Sequence, residues 1–419
     1  MKLVRQQNAF SKLTLAALMC CVASVVSVSR AQAQAPTPPT PPSTSAPETK
    51  PTDTAGAAPA AAAATPPAAP TWSVGPIDFS GLVDGYYDFN ANHPPFSSNG
   101  NQLRNFDYDA NAFSLNMAKL TLSHDADPVG FRVDLGFGKA FNQILASEPN
   151  FKYLEQAFVS FKPTKAKGLE MDFGEFVTSA GAEVIETKDN WNYSRSLLFA
   201  LAIPYYHVGL RTSMPITKAF TGGVQVVNGW NNFTDNNSGK TVGITGAYTK
   251  TKFTWFGNFY TGPENANTNK GFRNLIDTTL LLTPTSKFNA YINYDYVQNR
   301  NAVATNAAAT SYKTSSLDHL QGIAIAARYQ ISGTLAMAGR YEYLADGSAQ
   351  GGSVGTGNKQ KLNEFTYTGE YKIPEGLLVR VEYRRDGSDQ NYFSKGTSRL
   401  VKGQSTVEVG VVAFFGPKR

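Results

Sequence analysis

Over residues 77–415 the chain alternates apolar and polar side chains with a period of two, in one segment after another. In residues 77–89 serine and aspartate separate the apolar positions, and in residues 131–137 Arg132 and Asp134 do so. Successive side chains of a β-strand point to opposite faces of the sheet. Each segment therefore predicts a strand with one apolar face and one polar face.

The connections between these segments alternate in length, and strands of about ten residues predict about 16 strands in all. The short turns fall at residues 126–130, 163–168, 214–218, 250–251, 284–286, 332–333 and 374–376. The long polar connections fall at residues 91–110, 141–151, 178–202, 230–239, 262–272, 299–317, 345–360 and 386–403. A soluble sandwich has no reason to keep this rhythm, whereas a membrane barrel places its tight turns at the periplasmic end. Because hydrocarbon cannot solvate open strand edges, the prediction is an all-β, closed, antiparallel transmembrane barrel.

The third long connection, residues 178–202, differs from the others in composition. It contains Trp191, Tyr193 and the apolar run 197–199, which suit a loop packed against a wall better than one in free solvent. Long loops inside compact domains are uncommon and usually functional. We therefore expect this third external loop to fold inward and narrow the pore.

Three runs of sequence in and after this connection resemble a known family. They are SAGAEVIETKDNWNYSRSLLF (179–199), PYYHVGLR (204–211) and VVNGWNNFTDNNSGKT (226–241). They resemble the β-barrel porin-2 family of Gram-negative outer membranes, from about residue 75 to the C-terminus. The resemblance implies a channel-forming barrel and suggests a homotrimer, and it implies no catalytic residue and no particular substrate.

The N-terminal residues predict export. Basic residues, an apolar run over residues 13–28 and small residues before position 35 are typical of a cleaved signal peptide over residues 1–35. Residues 36–72 are rich in Pro, Ala and Thr, a composition that predicts a disordered periplasmic linker. The barrel porin domain is then expected over residues 73–419, in the outer membrane of a Gram-negative cell.

Removal of the leader changes both charge and cysteine content. The leader carries four of the 38 basic residues and none of the 32 acidic ones, so the formal charge falls from +6 to +2. This change removes the main argument for a nucleic-acid partner. Both cysteines, Cys20 and Cys21, are lost with the leader, which excludes disulfides and thiolate chemistry in the mature chain.

No cluster of residues predicts catalysis or a cofactor. The four histidines, His93, His124, His207 and His319, lack metal-ligand spacing, and no serine lies in a nucleophile motif. Carboxylates two residues apart on a strand share the lumen face without being a catalytic pair. We therefore expect no enzyme activity, no cofactor and no bound metal.

Charged residues on the polar strand faces are expected to line a water-filled channel, since a barrel of about 16 strands is wide enough for one. The predicted pore wall comprises Arg132, Asp134, Glu170, Asp172, Arg211, Arg340, Arg380 and Arg384. The predicted constriction loop contributes Glu175, Glu183, Glu186, Lys188, Asp189 and Arg195. Acidic loop residues facing wall arginines would produce a transverse field and mild ion selectivity. We expect these loop charges to carry little packing.

Aromatic residues near the predicted strand ends are expected to form girdles at the two interfaces with outer-membrane lipid. The expected girdle residues are Tyr86, Tyr87, Phe161, Trp230, Trp255, Tyr260, Tyr294, Tyr296, Tyr341, Tyr343, Phe414 and Phe415. The function predicted from all these features is a porin for passive diffusion of small hydrophilic solutes. The alternatives are a surface adhesin or structural anchor, which a plugged interior would favour, and a barrel hydrolase.

Overall fold

The computed structural model describes residues 73–74, 76–95, 100–146, 148–315, 317–347, 356–373 and 376–416. The predicted signal peptide and linker, residues 1–35 and 36–72, lie outside the described residues, so both stay predictions. Among the described residues, none of the helices has the length and apolar character needed to cross a membrane.

The described chain is built almost entirely from antiparallel strands. Sixteen long strands follow one another: β1 (Ile77–Asn90), β2 (Ala112–His124), β3 (Val129–Phe137), β4 (Leu154–Phe161), β5 (Glu170–Val177), β6 (Tyr206–Pro215), β7 (Phe220–Val227), β8 (Thr241–Lys250), β9 (Phe253–Gly262), β10 (Phe272–Leu282), β11 (Phe288–Arg300), β12 (Asp318–Gln330), β13 (Leu335–Asp346), β14 (Gln360–Ile373), β15 (Leu377–Ser388) and β16 (Gly403–Phe415). Five further strands are only two or three residues long: Ser73–Val74, Ala302–Ala304, Tyr312–Thr314, Phe393–Lys395 and Arg399–Val401.

The sheet of sixteen long strands is closed. Each strand pairs with the next along the chain, and β16 pairs with β1 over ten residue pairs from Gly81↔Phe415 to Asn90↔Thr406. Closure leaves no unpaired strand edge, which is the condition for a sheet to exist in hydrocarbon. The predicted barrel of 16 strands is therefore confirmed.

The alternation of short and long connections is also present. Only two residues separate β8 from β9, whereas residues 178–205 separate β5 from β6. Among the described residues, two short α-helices lie in the long connections, α1 (Lys139–Ile144) after β3 and α2 (Leu197–Leu201) before β6, and a 3-10 helix spans Thr187–Asp189. Ser196 caps α2 by accepting a hydrogen bond from the Phe199 amide at 3.0 Å, which satisfies one of the free N–H groups at the helix start.

Burial along the strands is opposite to that of a soluble protein. On β14, Glu364, Thr366 and Thr368 are at most 1% exposed, while Phe365 and Tyr367 between them are 43% and 41% exposed. Polar side chains thus point to the barrel interior and large apolar ones to the surroundings. This pattern is the one expected of a barrel surrounded by lipid.

The predicted aromatic girdle is wrong at several positions: Trp230 and Phe414 pack against the buried interior, and two tyrosines face inward. Tyr86 and Tyr260 are buried, because each lies on the inward-facing set of its strand. Tyr86 packs against Tyr193 with ring centroids 5.9 Å apart, and the Tyr260 hydroxyl hydrogen-bonds to Ser179. Neighbouring residues on a strand face opposite ways, so Tyr86 and Tyr87 could not both belong to one girdle.

Candidate pore constriction

The connection between β5 and β6, residues 178–205, is called the constriction segment below. Its backbone is held by Arg380 of β15, whose guanidinium donates to the carbonyl of Thr187 at 2.6 Å, to that of Asn192 at 3.0 Å and to that of Asn190. Arginine presents several donors in a fixed planar array, and here one side chain satisfies three backbone acceptors. Arg380 therefore fixes the path of residues 187–192 against the wall.

Backbone amides of the segment are accepted by wall glutamates. Glu382 accepts from the Tyr193 amide at 2.6 Å and the Ser194 amide at 3.1 Å. Glu342 accepts from the Leu197 amide at 2.7 Å, at the start of α2, where N–H groups have no partner within the helix. Without these carboxylates, the backbone N–H groups would be buried without a hydrogen-bond acceptor.

A buried ion pair joins the segment to β13. The Glu183 carboxylate lies 2.6 Å from the Arg340 guanidinium, and it also accepts from the Ser196 amide at 2.6 Å. Arg340 is 1% exposed and Glu183 is 7% exposed. Glu183 thus holds two parts of the segment and one wall strand together, which contradicts the expectation that the loop charges carry little packing.

Two further arginines donate hydrogen bonds to backbone carbonyls of the constriction segment. Arg384 of β15 donates to the Arg195 carbonyl at 2.6 Å. Arg195 donates to the Val184 carbonyl at 3.0 Å and to the carbonyls of Ile185 and Tyr193. Arg195 therefore braces the segment internally.

Three of the predicted wall arginines are covered by protein and do not line open water. Arg340, Arg380 and Arg384 are each at most 2% exposed, because the constriction segment covers them. They are inward-facing, as alternation requires, but in this conformation they bind protein groups and do not face open water.

Lys119 of β2 also contacts the segment. Its ammonium lies 3.0 Å from Asp134 and 2.6 Å from Glu155, and it also pairs with Glu186 of the segment. Burial would raise the pKa of Glu186, but the charge of Lys119, its hydrogen bond to Glu186 and the charge of Arg132 together lower that pKa to about 2. Glu186 is therefore an anion at neutral pH.

These three carboxylates have the oxygen spacing of a metal site, since their ligand atoms lie within 4.8 Å of one another. Lys119 contacts all three. The cluster is thus already neutralised in part by a protein cation, and we assign no metal to Asp134, Glu155 and Glu186.

The segment is also bonded to β1 through Asp84. It accepts from the Tyr193 hydroxyl at 2.6 Å and from the Thr187 hydroxyl at 2.6 Å. Burial raises the pKa of the Tyr193 phenol well above its ordinary value, so Tyr193 remains a neutral donor. The hydrogen bond between Asp84 and Tyr193 holds the middle of the segment near the point where β16 pairs with β1.

The charged groups that retain contact with solvent form local pairs. Arg132 pairs with Asp134 at 3.0 Å, and Lys188 pairs with its neighbour Asp189 at 2.6 Å. The remaining predicted wall residues behave alike: Arg211 pairs with Asp172 at 2.7 Å, and Glu170 lies 3.8 Å from Lys162.

One predicted constriction residue is placed differently. Glu175 lies within β5, opposite Ala157 and Val208, and not in the constriction segment. It is buried, and neither carboxylate oxygen has a hydrogen-bond partner. The predicted connection begins at residue 178, in agreement with the end of β5 at Val177, so the assignment of Glu175 to that loop was wrong.

Another connection packs against the constriction segment. Residues 100–111, between β1 and β2, are called the capping segment. The Phe106 ring meets those of Phe199 and Tyr205 at centroid distances of 5.9 and 6.4 Å, and Asn105 accepts from the Tyr205 hydroxyl at 2.6 Å. The sequence predicted only a long polar loop here.

Sequence reasoning also missed Lys119 and Glu155 as residues of this site, and Arg104 of the capping segment, which lies 3.5 Å from Asp386 of β15. Lys119 could have been found, since it shares the inward-facing set of β2 with Met117 and Thr121. Glu155 could not, because an irregularity in pairing between β3 and β4 interrupts the alternation there.

Comparison with known proteins agrees with this architecture. A family profile described as "Putative beta-barrel porin-2, OmpL-like" matches residues 76–415. The chain belongs to this family. No curated protein sequence matches the chain.

Solved structures show the same fold at low sequence identity. The outer-membrane channel DcaP of Acinetobacter baumannii has a TM-score of 0.52 and 10% identity, covering 81% of this chain and 97% of that one. OmpT of Vibrio cholerae in a trimer form has 0.51 and 12%, covering 81% and 99%. OmpF of Salmonella typhi has 0.51 and 16%, covering 81% and 97%. As a member of a porin family with this barrel, the protein is an outer-membrane channel.

Proposed function

We propose that this channel admits small hydrophilic solutes by passive diffusion, without enzyme activity or a cofactor. The observation that carries the proposal is the constriction segment, which is bonded to inward-facing residues of β1, β2, β13 and β15. A segment tied to several walls of a closed barrel crosses its interior and limits what can pass. The channel would therefore be narrower than the barrel itself.

Weak ion selectivity follows from the pairing of charges. Solvent-reachable groups such as Arg132, Lys188 and Arg211 each have an acidic partner nearby. Each pair of opposite charges acts as a dipole with a short-range electric field. Salt screens this field over about 8 Å at physiological ionic strength. We expect a reversal potential near zero across a salt gradient.

The test is single-channel conductance in planar bilayers, comparing the natural chain with a deletion of residues 178–200. The deletion should raise the conductance, because it removes the material bonded across the lumen. Shortening the exposed connection 301–317 between β11 and β12 serves as a control and should leave conductance unchanged. Equal conductance and reversal potential in the natural chain and the 178–200 deletion would show that the segment does not constrict the pore.

We also propose a homotrimer, supported by the family resemblance and by the trimer form of the similar OmpT barrel. Analytical ultracentrifugation in matched-density detergent measures the assembly directly. A monomer at all protein concentrations would contradict this proposal without affecting the channel.

The structural-anchor alternative keeps one supporting observation. The interior beside the constriction segment is densely filled, and Asp84, Arg384 and Glu342 are each 0% exposed. A barrel that stays silent in bilayers, while remaining closed and stable, would favour an anchor over a porin.

A further inference from the structure

One exposed arginine breaks the pattern of the outer barrel surface. Among the described residues of the sixteen strands, Arg385 is the one exposed charged side chain more than two positions from a strand end. It alternates with buried Arg384 and Asp386, so it points outward, away from the lumen. The exposed neighbours below it are apolar or aromatic, including Tyr383 at 42% and Val381 at 53%. A cation on a surface of this kind is costly unless an anion accompanies it.

Among the described residues, no carboxylate pairs with Arg385. Its guanidinium donates a hydrogen bond to the Ser405 hydroxyl at 3.0 Å. An arginine has five donor hydrogens, so most of its donors remain available to a ligand. The Ser405 bond fixes the side chain without neutralising it.

The surroundings of Arg385 leave space for such a ligand. Gly387 and Gly403 pair directly on the outward face above it. A Cβ on Gly403 would lie 2.6 Å from an Arg385 nitrogen, so the guanidinium rests over a glycine, while Phe365 lies directly across from Arg385 on β14. Lys361, exposed at the start of β14, lies toward the same rim and adds a second cation.

We propose that Arg385, with Ser405 and Lys361, binds the phosphate of a phosphorylated glycolipid in the surrounding leaflet. The planar guanidinium matches the geometry of phosphate oxygens. Tyr383 below Arg385 and Phe365 directly across from it on β14 lie where acyl chains meet headgroups. A membrane lipid is favoured over a free anion because the cation lies at the edge of the apolar belt. The connection after β15 is long, so the site lies in the outer leaflet if the long connections are external.

The test is native mass spectrometry of the detergent-solubilised protein with diphosphorylated lipid A, and with the same lipid after its phosphates are removed. The natural chain should bind the diphosphorylated form at least about tenfold more tightly, as expected for charge-assisted bonds. Arg385→Gln should remove this preference, Arg385→Lys should keep part of it, and the control Lys313→Gln, in the exposed strand Tyr312–Thr314 of another connection, should keep all of it.

Three outcomes would overturn the proposal. Equal binding by the natural chain and Arg385→Gln removes the site, and displacement of the lipid by millimolar inorganic phosphate alone assigns it to a free anion. Loss of trimers in Arg385→Gln assigns this face to a contact between copies of the chain. Conductance of Arg385→Gln in bilayers should equal that of the natural chain, so the site and the proposed channel function fail independently.

Discussion

The role of Glu183 is set by its contacts in the folded protein. By sequence it is one acid in a loop with several, yet it pairs with Arg340 at 2.6 Å and accepts from the Ser196 amide. Removing one member of a buried ion pair leaves the other charge unpaired away from water. The consequence for this residue is mainly structural, and any change in ion selectivity follows from movement of the segment.

We therefore expect Glu183→Ala to destabilise the barrel by about 3–5 kcal/mol and to add conductance fluctuations. Urea unfolding of the barrel in lipid vesicles measures the first effect, and single-channel recording measures the second. The matched control is Asp189→Ala, which removes a partly exposed acid of the same segment that pairs with adjacent Lys188 and should change stability by less than about 0.5 kcal/mol. Equal effects of the two substitutions would contradict the role assigned to Glu183.

Glu186 predicts a response to acid. Its pKa falls from the ordinary 4.5 to about 2 in the folded protein, so its pair with Lys119 contributes fully above pH 4.5 and is lost as the pH falls toward 2. We expect channel noise to increase over this interval. Glu186→Gln should be noisy at every pH and should lack this transition, while a transition identical to that of the natural chain would assign it to other acids, such as Asp134.

At the scale of elements, the proposed constriction consists of two layers. The capping segment is fastened to the wall by Arg104, which pairs with Asp107 and lies 3.5 Å from Asp386 of β15. It also donates to the Thr406 hydroxyl of β16. Phe106 then packs on the constriction segment, so Arg104 acts on the constriction through a neighbour.

Arg104→Ala should release the capping segment and produce brief openings above the normal conductance level, because Phe106 would no longer press on Phe199. Single-channel recording at fixed voltage measures these events. Lys240→Ala, which removes a more exposed ion pair with Asp235, should give none. Unaltered recordings from Arg104→Ala would show that the capping segment does not support the constriction.

Strands and connections were the features that sequence predicted well. Alternation and turn residues are local signals, so sixteen strands could be placed, most within a few residues of their ends. Tyr86 was misplaced because composition does not show which set of a strand faces inward near its end, and Glu175 because a charged residue just before a long loop was assigned to the loop. The contacts of the constriction segment were beyond local reasoning, since Arg340 and Arg380 are separated from it by about 150 residues or more.

At the scale of the whole molecule, the separation in sequence between the constriction segment and its partners predicts the order of assembly. Residues 178–205 precede their partners on β13 and β15, and the tie to Asp84 lies beside the seam between β1 and β16. Contacts between residues far apart in sequence form slowly, because a long loop of chain must first be ordered. The constriction segment should therefore stay open until the last strands have joined the first.

During refolding into vesicles, protease cleavage within residues 178–205 should persist until the heat-modifiable form appears on a gel, and protection well before that form would contradict this order. A newly made barrel would then close around an empty interior and acquire its permeability limit last.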